Sequence, residues 1–284
     1  MKNVTRFLCA VLFSTMLIFQ ANTLFAQDIS DISLESELGA GKILLHTYRV
    51  GSTADGNTNF NFVTQGGQEL LFFYERYTAL VLLGGHHEIR FLYQPLLLIT
   101  DVRFRDAVTV DNITFAPDTP MRLTYSFPFY RLTYQYRFLD NNSGSWLQAG
   151  GALQLRNASI RFEQLDGTQL FVSQNLGLVP ALAVSGRAEL GNNFYASFDI
   201  TGIYASSAFF NGANFQFEGS ILDASVRFGT QVTDAADVFL SLRFLGGSAS
   251  GISQYARSEW TNSISPETAN YLALLSITLG ATIK

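Results

Sequence analysis

The sequence predicts an all-β chain, an antiparallel up-and-down transmembrane β-barrel of about ten strands. Three observations lead there. Charged residues make up only 14% of the 284 residues, and aromatics reach the same 14%, with 25 Phe and 12 Tyr. Soluble domains carry roughly 25% charged residues. Beyond the N-terminus, no apolar run approaches the ~18–20 residues that a membrane helix needs. The rest of the chain is a succession of long alternating segments whose connections are short and long by turns.

The first element is a leader. Lys2 and Arg6 precede an apolar stretch from Phe7 to Phe19, and Ala26–Gln27 offers a cleavage point. This layout is that of a secretory signal, too short to span a bilayer as a helix. Leu24 at −3 departs from the small-residue rule, so the cut is expected within a few residues of Ala26. The reading is a cleaved signal at 1–26 and a single barrel domain at 27–284. Cys9 leaves with the leader, and the mature chain has no cysteine. A small secreted domain more often uses disulfides, whereas a barrel closes its own ladder. The mature chain has 16 Lys+Arg against 23 Asp+Glu, a formal −7. That excludes nucleic acid as an expected partner, because phosphate binding needs a basic stripe. No zinc, P-loop or dinucleotide spacing occurs, so no metal or cofactor is expected.

The strands are expected at 33–50, 68–83, 87–104, 121–139, 145–163, 175–190, 193–209, 217–231, 236–250 and 269–283. The connections after strands two, four, six and eight are short: GGH, NNSGS, GN and TDAA. Those after one, three, five, seven and nine are long, from GSTADGNTNFNFVTQGG to GISQYARSEWTNSISPETA. Outer-membrane barrels have this asymmetry, with tight periplasmic turns, longer external loops and an even strand count. A secreted β-sandwich has no reason to gather every long loop at one end.

The faces agree. In the fourth strand Tyr130, Leu132, Tyr134, Tyr136 and Phe138 oppose Arg131, Thr133, Gln135 and Arg137. Those nine residues are close to the ~9–11 that cross a bilayer as a tilted strand. The seventh strand sets Phe194, Ala196, Phe198 and Ile200 against Tyr195, Ser197, Asp199 and Thr201. The eighth sets Leu222, Ala224, Val226 and Phe228 against Asp223, Ser225, Arg227 and Gly229. Apolar registers are expected to face lipid and the others the lumen. Two strands change phase. Across Arg156–Asn157 the fifth passes from Leu153 and Leu155 to Ala158, Ile160 and Phe162, and before Tyr130 the fourth passes to Tyr125, Phe127 and Phe129 around Pro128. A β-bulge at each place would swap the faces. The third strand, EIRFLYQPLLLITDVRF, is apolar on both faces and contains Pro95. It calls for either a bulge or an apolar layer in the lumen beside it.

Eight strands are filled by their own side chains, and open channels appear near ~16. Ten strands therefore predict a lumen largely filled by side chains. The inward charges are expected to be Glu35, Glu37, Lys42, Arg90, Arg131, Arg137, Arg187, Glu189, Asp199, Asp223, Arg227 and Arg243. Confined charges must pair, because a lone buried one costs several kcal/mol. Arg131, Arg137, Arg187, Asp199, Asp223, Arg227 and Arg243 form the candidate binding network, and no catalytic set is assigned. His86 and His87 fall in a short turn, and His46 lies near the external end of the first strand, facing either lumen or lipid. No serine–acid partner for it is evident. In the second long connection, Val108, Val110, Ile113 and Phe115 alternate around Asp111–Asn112, a small hairpin continuing strands three and four. It reads as a rigid cap or a docking surface. The last long loop, with Trp260 and SPET, reads as a lid or a loose loop. The glycosylation-type triplets at Asn112 and Asn157 carry no meaning in such a barrel.

Three segments resemble a group of bacterial outer-membrane β-barrel proteins: HHEIRFLYQPLLL (86–98), ITFAPDTPMRLTYSFPFYRLTYQYRF (113–138) and LRNASIRFE (155–163). The resemblance covers most of the mature chain. It implies fold and a place in the cell outer membrane of a Gram-negative, and no activity. The ending LGATIK lacks the terminal aromatic many such barrels use in assembly. The expected partners are outer-membrane lipid, lipopolysaccharide and the barrel-assembly machinery, around a monomer. The expected function is non-enzymatic: structural, or binding small ligands or surface partners through the external end. A porin-like narrow-solute channel is the alternative, and a lipid-modifying enzyme the third reading.

Overall fold

The computed structural model describes residues 29–141, 144–206, 217–252 and 267–284. The leader, the connection at 207–216 and the loop with Trp260 lie outside the described residues. The elements are β1 (Ile29–Val50), β2 (Phe60–Asn61), β3 (Leu71–Leu83), β4 (His87–Gln94), β5 (Leu97–Arg103), β6 (Val108–Val110), β7 (Ile113–Phe115), β8 (Pro120–Ser126), β9 (Phe129–Asp140), β10 (Trp146–Gln164), β11 (Leu170–Gly191), β12 (Phe194–Ser206), β13 (Phe217–Thr233), β14 (Ala236–Ile252) and β15 (Glu267–Ile283).

These strands form a closed antiparallel barrel. Each neighbour pairs with the next from β11 through β15, then β1, β3, β4 and β9 to β10, and β10 pairs back to β11. β5 and β8 prolong β4 and β9, so among the described residues ten strand lines make the ring. Side chains alternate in and out as expected: on β13, Asp223 and Ser225 are buried while Leu222, Val226 and Phe228 are exposed. Left-handed backbone in the described short turns falls on glycine or asparagine, at Gly84, Gly85, Gly144, Asn192 and Asn193. Asn192 and Asn193 both have positive φ (52° and 65°), the two-residue hairpin turn that Asn tolerates. Where wide rings enter the lumen the residue paired with them on the next strand is glycine: a Cβ at Gly229 would overlap the Tyr195 ring, and one at Gly280 the Phe239 ring.

Neither expected face swap occurs. The β10–β9 register reaches Arg156↔Phe129 and continues on β8 as Ser159↔Ser126 without an added residue. The β4–β9 register likewise continues into β5–β8, with Phe127 N–H donating to the Leu96 carbonyl at 2.7 Å. Pro95 and Pro128 interrupt the ladder because they lack an N–H, and the parity runs on. Ala158, Ile160, Phe162, Tyr125, Phe127 and Phe129 all point inward and are buried. Of the two readings for the third strand, the apolar lumen layer is the one found. A register shift does occur on β1, between Ile43 and Leu45. It turns His46 inward and leaves Lys42 outside, exposed, with Nζ donating to the Glu69 carbonyl. The expectation that Lys42 faces the lumen is therefore corrected: Gly39 and Gly41 hold the inward places on that stretch. The β6–β7 hairpin exists, turning at Asp111 and Asn112 with φ 48° and 68°. It is a separate two-stranded sheet, not a continuation of its neighbours.

Candidate functional site

The lumen is built in three levels, set by what each strand carries along its inward register. Beside the short turns, the wall borders a half-open cavity of about 400 Å³ whose lining mixes charged and apolar side chains. Glu35, Glu88, Arg90, Arg137, Arg187, Asp199, Arg227 and Asp237 line it. Arg90 is held by Glu88 at 2.6 Å and by Asp199. Arg187 bonds Glu189 at 2.5 Å and Asp237 at 2.9 Å, with its guanidinium 3.6 Å from the Tyr195 ring centre. Arg137 lies 4.7 Å over Trp146, within 3.6 Å of Asp140 and 3.9 Å of Glu88. Such stacking and forked pairing suit guanidinium better than ammonium.

Halfway along, four arginines surround two carboxylates. Asp223 accepts from Arg243 at 2.6 Å, Arg131 at 2.8 Å and Arg76 at 2.9 Å. Glu37 accepts from Arg227 at 2.7 Å, Arg243 at 3.1 Å and Thr278 at 2.9 Å. Arg227 also forks onto Glu35, both bonds at 2.8 Å. The amides fill in: Gln94 Oε1 accepts from Tyr74 and Arg76, both at 3.0 Å, and Gln154 Oε1 accepts twice from Arg131. Glu37, Asp223 and Arg243 are all but inaccessible. Charges desolvated to this extent persist only with such multiple partners.

Towards the long connections the lumen turns apolar. Phe60, Phe62, Phe115, Phe129, Phe162, Met121 and Leu123 are fully buried there, with Ile43 and Leu274 below them. Phe60 meets Phe62 and Phe162 edge-on, each at 5.0 Å, an arrangement that aromatic quadrupoles favour, while Phe115 stacks on Phe162 at 6.1 Å. Phe60 and Phe62 come from the first long connection, which enters the barrel mouth as β2 alongside β1. Phe115 comes from the β6–β7 hairpin, which the first connection secures through Thr58 and Thr109. Within this layer His46 stacks on Phe62 at 4.3 Å and meets Tyr125 edge-on at 4.3 Å. Its Nδ1 lies 2.7 Å from Gln68 Oε1, so that nitrogen donates the proton.

All seven residues of the expected network face the lumen, in two groups. Arg131, Asp223, Arg227 and Arg243 meet in the middle level, while Arg137, Arg187 and Asp199 belong to the cavity level. Arg76, Glu88 and Asp237 complete the pairs and were not foreseen. Outside the wall, Asp101 accepts from Arg122 Nε at 2.8 Å and Nη2 at 2.7 Å, bonds that hold its carboxyl below the usual carboxylate range. Among the described residues, no three His, Cys, Asp or Glu side chains are placed to hold a metal. The histidines do not converge, since His86 and His87 sit at the opposite end from His46.

No protein-family model matches the chain, and no curated protein is similar to it in sequence. Among solved structures it is similar to the outer membrane protease OmpT from Escherichia coli, at 12% identity and TM-score 0.49, over 89% of this chain and 96% of that one. It is also similar to a FadL homologue of Pseudomonas aeruginosa, at 8% identity and TM-score 0.36, over 89% and 90%. The outer membrane protein OprG from Pseudomonas aeruginosa matches at 8% identity and TM-score 0.33, over 88% and 95%. Likeness of that degree carries no argument about this chain, whose barrel rests on its own strand pairing.

Proposed function

We propose that this protein is a non-enzymatic outer-membrane β-barrel whose lumen does not conduct, and whose cavity beside the short turns holds small polar ligands from the periplasm. One observation carries the reading: the mid-lumen arginine–carboxylate layer and the aromatic layer lie in series, and in this reading they act as two unlike barriers between the two ends. The even strand number, the tight turns at one end and the apolar exterior support a place in the outer membrane with the long connections outside. Lipid, lipopolysaccharide and the barrel-assembly machinery are the partners this location brings. The β6–β7 hairpin is a rigid cap in this reading, because its Val108, Val110 and Phe115 are spent on the buried layer. The arginines of the cavity are all engaged with carboxylates or rings, which suits reversible exchange with a polar solute better than acid–base chemistry.

Thiol labelling tests this, since the mature chain has no cysteine of its own. Ser52→Cys, beside the exposed turn at 53–55, is expected to react with a membrane-impermeant maleimide on intact cells. Ser197→Cys, in the cavity, is expected to react only after the periplasm is opened. Labelling of Ser197→Cys on intact cells contradicts the closed lumen, and reversal of both contradicts the orientation.

A further inference from the structure

The barrel wall is split on one side. β3 and β4 pair over seven rungs, from Leu83↔His87 to Tyr77↔Tyr93, and there the pairing ends. Beyond it Leu71–Arg76 pair only with β1, and β5 pairs only with β8. Pro95 stands where the two strands part and has no N–H to offer. A strand needs ~9–11 residues to cross a bilayer, so with the long connections outside the split begins within the outer-leaflet half. β11 and β12 also part beyond Leu182↔Gly202, beside a connection outside the described residues. The β3–β5 split is therefore the one whose two flanks are both described.

Its lining is specific. From within, the first connection covers it, with the Gly66 carbonyl accepting from Thr100 Oγ1 at 2.5 Å. On the outside, Leu71 and Phe73 are 69% and 67% exposed on one flank, and Leu97 and Ile99 are 58% and 56% exposed on the other. At its base Tyr77, Tyr93 and Tyr130 stack in sequence, at 6.5 Å and 5.0 Å with interplanar angles of 19° and 16°. Glu75 accepts from the Tyr77 hydroxyl at 2.8 Å. At the outer end Lys42, on the rung of Leu71, bonds only a carbonyl and has no carboxylate partner among the described residues.

We propose that this split is a lipid-binding slot that seats an acyl chain of an anionic outer-leaflet glycolipid, with its head group on Lys42. This rests on the outer-membrane orientation proposed above. The flanks continue the bilayer-facing exterior, so a chain lying between Phe73 and Leu97 covers apolar side chains from both. Open strand edges are costly in hydrocarbon, and the ester or amide links where a chain joins its head group are the polar partners such edges lack. A cation at that level matches an anionic head group, while the Glu75 carboxylate, lower in the slot, is occupied by Tyr77.

The test places photoreactive p-benzoylphenylalanine at Phe73 or at Ile277 in cells. Both residues pair with Ala40, so they sit on one line of rungs, and Ile277 lies on an unbroken wall at 55% exposure. Glycolipid adducts are expected several-fold more often at 73 than at 277, and several-fold less at 73 after Lys42→Gln. Equal yields at the two positions, an adduct with phospholipid or with a protein at 73, or indifference to Lys42→Gln would overturn the proposal. Membrane fractionation of the same cells reads the location separately. Should location fail, purified protein in vesicles of mixed glycolipid and phospholipid gives the same comparison, so the slot and the orientation stand or fall independently.

Discussion

Asp223 holds three guanidiniums, from Arg76, Arg131 and Arg243, with no water-exposed surface of its own. Asp223→Asn keeps the shape and removes the charge, so the expected loss in unfolding free energy is about 3–5 kcal/mol. Urea unfolding in lipid vesicles measures it, and an unchanged midpoint contradicts the network's structural role. His46 and Gln68 form a simpler pair inside the aromatic layer. His46→Leu strands the glutamine and is expected to cost about 1–3 kcal/mol, of which the double variant with Gln68→Leu regains most. At the surface, the Asp101–Arg122 pair contributes above the unfolded carboxylate pKa and fades as pH falls through the lowered folded value. Both groups are exposed, so Asp101→Asn is expected to leave the thermal midpoint at neutral pH unmoved. The seven network residues were legible because each alternates with apolar neighbours. Arg76 was not, since YERY places Glu75 and Arg76 side by side and only the settled register sends one out and the other in.

At the scale of elements, the two false bulges share one cause. The sequence reading allowed an apolar lumen layer only beside the third strand, so on the fourth and fifth strands an apolar inward register looked like a face turned towards lipid. β8 and the outer half of β10 instead face a lumen that has become aromatic, and no residue is inserted. Leu123→Asp is therefore expected to block folding, because it buries an unpaired charge at several kcal/mol, whereas Thr124→Asp is tolerated on the outer face. Heat-modifiable gel mobility reads both, and the opposite result restores the bulge at Pro128. The shift on β1 that turns His46 inward left no trace in the alternation of KILLHTY, where apolar residues run together.

For the whole molecule, strand number and the apolar exterior were legible, because each repeats around the ring. The fifth connection, expected to be long, is only residues 165–169, because β10 and β11 pair out to Glu163↔Leu170. How the long connections use their aromatic residues was not legible either. Phe60 and Phe62 stand two apart in a polar stretch, a faint strand signal whose burial depends on a mouth that only the closed barrel creates. On the proposed closed lumen, Arg243→Ala is expected to weaken the fold without opening a path, since the aromatic layer persists. Single-channel recording of the wild-type protein in a planar bilayer tests the closed lumen most directly. The account expects no steady conductance at moderate voltage, and reproducible ohmic steps from pure, folded protein would contradict it.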